Sequence, residues 1–169
     1  MSRGPHDGII EKIDGGYQLH FERRLRHPVE KVWAALTDPA RLEEWLGAVQ
    51  GELVEGGDYT IRWLNTDLEG NSAVARGTIT RFEPPHLLEI DTDIHGLLRW
   101  ELRPDGAGSY LTLTARSPIP DEYRAMVMAG WHIHLDFLAE SLDGQAVDWP
   151  NWPLDRWEVH HQHYQALFR

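Results

Sequence analysis

The sequence predicts an α+β fold: a curved antiparallel sheet wrapped around one long C-terminal helix, with two short helices after the first strand and an extra C-terminal amphipathic helix. Three observations predict it. Phe21 to Leu46 passes from a strand into a helix and restarts at Asp38-Pro39 as a second short helix. Gly47 to Ser117 reads as short alternating strands punctuated by turns. Gly130 to Gly144 belongs to a long helix closed by a glycine. A sheet curved around such a helix encloses an apolar pocket.

Each element has a local reason. Residues 1–16, with five glycines or prolines at Gly4, Pro5, Gly8, Gly15 and Gly16, read as a flexible arm with a short strand at Ile9-Ile10. From Tyr17 to Arg26, Tyr17, Leu19, Phe21, Arg23 and Leu25 fall on one face of a strand by period two. Pro28 suits the first position of a helix, and Val29, Val32, Trp33 and Leu36 then follow helical spacing. Asp38 is the expected N-cap of the next helix, with Pro39 at its first position.

Gly56-Gly57-Asp58 reads as a turn between a strand at Glu52-Leu53-Val54 and one at Tyr59 to Trp63. Further strands are expected at Ser72 to Phe82, His86 to Asp91, Leu98 to Arg103 and Tyr110 to Arg116, together an antiparallel meander. Pro118 and Pro120 stop the sheet. The long helix runs from about Asp121 to Asp143, with Gly144 as its C′ stop. Its apolar stripe is Trp131, Leu135, Leu138 and Leu142, and Asp136, Glu140 and Asp143 lie opposite. In the tail, Trp149 to Pro153 is a rigid turn. Asp155 and Glu158 resemble a capping box, and Trp157, His161, Tyr164 and Phe168 form one helical stripe. Three segments result: the arm 1–16, a domain over 17–144 and an extension over 145–169 that packs on the same domain.

Composition narrows the function classes. A chain of 169 residues with 41% hydrophobic and 25% charged residues is an ordinary single globular domain. A formal net charge of −11 argues against nucleic acid and anionic membrane surfaces as partners, since both demand clustered Lys and Arg. No cysteine is present, so disulfides and thiolate metal sites are excluded. No secretory leader or membrane-length apolar run is seen, which makes the cytoplasm the expected location.

The ordered motifs resemble the START-like (SRPBCC) superfamily, whose arrangement is the helix-grip fold. They are most similar to bacterial single-domain members of the branch named after the activator of the heat-shock-protein-90 ATPase. The residues that carry the resemblance are Phe21-Glu22-Arg23, Pro28 to Trp33, Thr37-Asp38-Pro39 and Trp45. Others are Gly77, Phe82 to Pro85 with Leu87, Leu111 to Thr114, and Gly130-Trp131 with Leu135, Leu138 and Gly144. Many relatives have a His where this chain has Ala115, and Asp148 to Arg169 falls outside the shared pattern. The resemblance implies a fold and a cavity rather than a co-chaperone, a role that belongs to a multidomain protein.

No nucleophile elbow, phosphate loop or dinucleotide fingerprint is present. Of the ten His, His132 and His134 diverge by about 200° on a helix, so they do not share a metal, whereas His160 and His163 share a face. No established ligand pattern appears, and neither a metal nor a cofactor is expected. His134 sits about 60° from the Trp131 stripe, where it either orients a ligand or rests as a satisfied boundary residue.

The expected function is a binding protein for a small hydrophobic or aromatic molecule, rather than an enzyme. The expected ligand contacts are Trp45, Tyr59, Ile61, Trp63, Trp100, Trp131, His134 and Leu138. The alternatives are a cyclase- or dehydratase-type enzyme in the same cavity, signalled by His134 converging with a second ionisable group, and an interaction module or homodimer that uses the tail stripe.

Overall fold

The computed structural model describes residues 3–67 and 69–169. Eight strands form one sheet: β1 Ile9–Ile13, β2 Gly16–Leu25, β3 Gly47–Gly51, β4 Asp58–Trp63, β5 Val74–Glu83, β6 Leu87–Thr92, β7 Gly96–Asp105 and β8 Gly108–Ser117. Their order is β1-β2-β8-β7-β6-β5-β4-β3, and every neighbouring pair is antiparallel. Helices α1 Val29–Thr37 and α2 Pro39–Leu42 carry the chain from β2, near one edge, to β3 at the other. The long helix α3 spans Arg124–Leu142, and α4 spans Leu154–Leu167. This is the α+β helix-grip arrangement the sequence predicts.

Alternation explains how the sheet buries one face. Tyr17, Leu19, Phe21, Arg23 and Leu25 of β2 are all buried, as are Leu98, Trp100 and Leu102 of β7 and Leu111, Leu113 and Ala115 of β8. Register places Phe21 opposite Leu113, and Leu113 opposite Trp100 on its other side, so one apolar row crosses three strands. Ala115 is fully buried between Leu19 and Leu98. A bulge between Ile79 and Arg81 shifts the alternation of β5, and Phe82 beyond it packs 5.8 Å from Trp33 of α1.

Capping also follows the sequence. The Asp38 carboxylate accepts from the Ala40 N–H at the start of α2. Gly144, at φ 90°, lets the α3 terminus close with Gly144 N–H donating to Ser141 O and Gln145 N–H to Glu140 O, a Schellman ending.

Two local expectations give way to tertiary structure, and a third is extended. The strand before β4 is Gly47–Gly51, not Glu52 to Val54. Leu53 and Val54 are adjacent apolar residues with no alternation, and both lie exposed in the turn. The short strand expected at Ile9-Ile10 is present and runs on to Ile13 as β1 at the sheet edge. Asp155 does not cap α4, which starts at Leu154 with Pro153 at the cap position.

α3 is buried nearly all round. Met128, Ala129, Ile133, Leu135, Phe137 and Leu138 are each at most 1% exposed. Its acidic side is covered by α4: Arg156 makes a two-point pair with Glu140 at 3.0 and 2.6 Å, and His160 Nε2 lies 3.0 Å from Asp136. Tyr164, in the middle of the tail stripe, is fully buried, whereas Trp157, His161 and Phe168 are half-buried. The stripe therefore docks on the body instead of standing free.

Candidate functional site

A cavity of about 230 Å³ lies beside the N-terminal half of α3. The sheet side contributes Trp63 at the end of β4, Asn65 just beyond it, Ala73 before β5, and His95 in the turn between β6 and β7. The helix side contributes Val127, Gly130, Trp131 and His134, spaced three or four apart so that they share a face of α3. The depression around Lys31, Arg41, Glu44 and Asp143 is wider but is walled by charged groups, unlike the aromatic cavity.

Gly130 is the least expected of these residues. A glycine inside a helix costs about 1 kcal/mol relative to alanine. A Cβ built at Gly130 meets nothing within 4 Å, so the missing side chain leaves open space. The Gly130 carbonyl also accepts a hydrogen bond from His134 Nδ1–H at 2.7 Å. A carbonyl only accepts, so the proton of neutral His134 is on Nδ1 and Nε2 presents a lone pair. That Nε2 is buried without a partner, and so is Asn65 Oδ1. Burial lowers the His134 pKa to about 4, with His95 adding to the effect and the Gly130 bond opposing it, so the ring is neutral at pH 7.

His95 carries the same Nδ1–H tautomer, but its Nε2 lone pair is already occupied. Trp63 Nε1–H donates to His95 Nε2 at 2.9 Å, which leaves the His95 proton on Nδ1. Burial lowers the His95 pKa as well, against the raising effect of Asp93. The Trp63 ring touches both imidazoles edge-on, with centroids 5.2 Å from His95 and 5.1 Å from His134.

Of the eight expected contacts, Trp63, Trp131 and His134 line this cavity. The other five do not. Trp45 is fully buried, donates from Nε1 to Ala35 O at 2.9 Å, and packs edge-on against Trp100. Trp100 in turn packs edge-on against Trp131 at 6.0 Å, behind the cavity wall. Ile61 and Leu138 are core side chains, 2% and 0% exposed. Tyr59 is buried in the sheet, and that burial pushes its phenol pKa up. The lining residues not foreseen are Asn65, Ala73, His95, Val127 and Gly130. Only Gly130 left a signal, as a helix-breaking residue within a strongly helical stretch.

A second group gathers on another side of α3. His132 and Asp136 of α3 and His160 of α4 bring three potential metal-ligand atoms within 4.8 Å of one another. The expectation of no metal rests on spacing within single helices, and this set is assembled across two. Among the described residues, no helix is long and apolar enough to cross a membrane.

Comparison with known proteins places this geometry in a family. The model of the family described as activator of Hsp90 ATPase homolog 1-like protein matches residues 26–143. The crystal structure of CalU16 from Micromonospora echinospora is 28% identical, with a TM-score of 0.68 over 94% of this chain and 93% of that one. The solution structure of CalU16 from the same organism gives 25% identity and a TM-score of 0.71, over 99% and 98% of the two chains. DynU16, a protein in the dynemicin biosynthetic locus, shares the fold at 23% identity and a TM-score of 0.64, over 76% of this chain and 48% of that one. No curated protein matches the sequence.

Proposed function

The chain belongs to the activator of Hsp90 ATPase homolog 1-like family, and from that premise we propose that it binds a small, flat, largely apolar molecule in the cavity beside α3. The observation that carries this reading is the open space opposite Gly130 in the middle of a helix. The residue costs helix stability and returns no packing, whereas a ligand gains room from it. The aromatic walls, Trp63 and Trp131, suit a planar ring system. An engineered cavity of roughly 150 Å³ holds benzene. At about 230 Å³ this one suits two fused rings.

Polarity refines the ligand. Two acceptors of lining residues, His134 Nε2 and Asn65 Oδ1, are buried without a partner. A ligand with a hydroxyl or N–H satisfies one of them, and a net gain of about 1 kcal/mol per hydrogen bond separates it several-fold from an analogue without a donor.

The test is a mass comparison of freshly purified protein under native and denaturing conditions, followed by titration with 2-naphthol and 2-methoxynaphthalene while tryptophan emission is recorded. Preferential binding of the naphthol, lost in His134→Phe, supports the reading. Equal affinity for both probes removes the role of His134. No binding of either, with no co-purified mass, removes the cavity as a small-molecule site.

A second reading has its own observation. His134 and His95 converge on one cavity, His134 with an unpartnered Nε2 lone pair and His95 with its Nε2 held by Trp63. The free lone pair is the group that would take a proton from a bound molecule, with His95 as the second ionisable group that a cyclase- or dehydratase-type reaction calls for. Solvent deuterium appearing in a bound phenol or ketone at carbon, dependent on both His, favours catalysis over carriage.

A further inference from the structure

The junction of β2, α3 and α4 holds polar side chains that share no residue with the cavity. His132 is 5% exposed and lies edge-on to Phe21, 6.3 Å away. Its ring stacks on His160 at 3.9 Å. Asp136, one turn on from His132, points Oδ2 between the two imidazoles, 3.9 Å from His132 Nε2 and 3.0 Å from His160 Nε2.

We propose that His132, Asp136 and His160 form a binding site for a divalent transition-metal ion of the zinc type, clipping the C-terminal helix to the long helix. The donor set, two imidazoles and one carboxylate, is one that zinc accepts. Tetrahedral bonds of about 2.0–2.1 Å hold neighbouring ligand atoms roughly 3.4 Å apart. The two Asp–His separations, 3.0 and 3.9 Å, straddle that spacing, and the stacked imidazoles must turn their in-plane Nε2 lone pairs toward a common point to admit the ion. Asp136 and His160 keep side-chain exposures of 21% and 22%, which leaves an approach from solvent and a fourth position for water.

The surroundings favour the ligating forms. His132 Nδ1 meets the Tyr164 hydroxyl at 2.7 Å, and that hydroxyl accepts from Gly8 N–H at 3.0 Å, so the His132 ring is oriented from behind with Nε2 toward Asp136. Burial, with the charge of His160, lowers the His132 pKa to about 4, so the ring is neutral. Burial raises the Asp136 pKa, but the His160 hydrogen bond and nearby positive charges outweigh it and keep the carboxyl ionised. On binding, the ion takes the place of the hydrogen bond between His160 Nε2 and Asp136, which calls for the Nδ1–H tautomer of His160. One other cation is close, the Arg23 guanidinium, 4.0 Å from Asp136 Oδ1. Asp7 Oδ1 is 3.9 Å from His132 Nδ1, and its Oδ2 meets His163 Nε2 at 2.6 Å.

The test uses the full-length chain stripped with a chelator and titrated with Zn²⁺ or Co²⁺. One equivalent of Co²⁺ should give the visible ligand-field absorption of a four-coordinate site, and the melting temperature should rise with Zn²⁺ concentration by mass action. His160→Gln, a half-exposed change on α4, should abolish both responses while the metal-free protein still melts cooperatively. Tyr164→Phe should weaken zinc binding by about 10–100-fold, measured by competition with a chromophoric chelator. His163→Gln, on the same helix but paired with Asp7, should retain the site. The proposal is overturned if wild-type protein shows no saturable binding, or if His160→Gln binds and is stabilised like wild type, which would place the ion on other histidines.

Discussion

Replacing Gly130 separates a functional cavity from an ordinary core. In Gly130→Ala the new methyl has no heavy atom within 4 Å, so neither clash nor contact changes the balance. The helix term remains: alanine is favoured over glycine by about 0.8–1 kcal/mol inside a helix. The substitution is therefore stabilising, and for a chain of this size about 1 kcal/mol raises the melting temperature by roughly 2–4 °C. Gly130→Phe places a benzene-sized ring in the 230 Å³ space and should occlude it. Urea unfolding and thermal melts read the first effect, and naphthol titration reads the second. The expected pair of results is a Gly130→Ala variant more stable than wild type and a Gly130→Phe variant that folds but no longer binds. A loss of more than about 1 kcal/mol in Gly130→Ala would refute the reasoning, because it would mean that this face of the helix is closed.

Other outcomes follow from the same geometry. Trp131→Ala removes a 4%-exposed ring that packs against Trp63 and Trp100 and should cost about 3–5 kcal/mol by chemical denaturation; a loss below about 1 kcal/mol would mean that the ring is not core. The folded-state pKa of His134, about 4 against 6.5, means that the unfolded chain binds more protons between those values. Its contribution is therefore complete above the unfolded pKa and is lost as pH falls toward the folded one, by about 2 kcal/mol near pH 5. His132 acts in the same direction. In His134→Phe the slope of stability against pH across that window should drop by close to one proton, and an unchanged slope would contradict the buried neutral imidazole. Tyr164→Phe in metal-free protein leaves Gly8 N–H and His132 Nδ1 without their shared partner. A cost of about 1–3 kcal/mol is expected, and unaltered urea midpoints would show that water replaces the hydroxyl.

The sequence by itself determined most of the elements and their order. Period-two alternation in β2, β7 and β8, the Asp38-Pro39 restart, and Gly144 at the end of α3 are consequences of neighbouring residues and of backbone geometry, which are legible within a few positions. The buried face of β2 was legible too, including Arg23 among its apolar residues. Only tertiary structure decided which aromatic residues fill the core and which border space. Trp45, Trp63, Trp100 and Trp131 are chemically alike, yet Trp45 and Trp100 are locked by neighbours while Trp63 and Trp131 face the gap opposite Gly130. A cavity is defined by atoms that are missing between remote segments, and no local pattern records that. The same holds for His95, brought beside His134 by a turn between β6 and β7, and for His160, brought to His132 and Asp136 by the docking of α4. Covalent spacing governs contacts within a helix or strand, whereas contacts between elements depend on how their buried faces pack, and that packing is settled only when the whole sheet closes on α3.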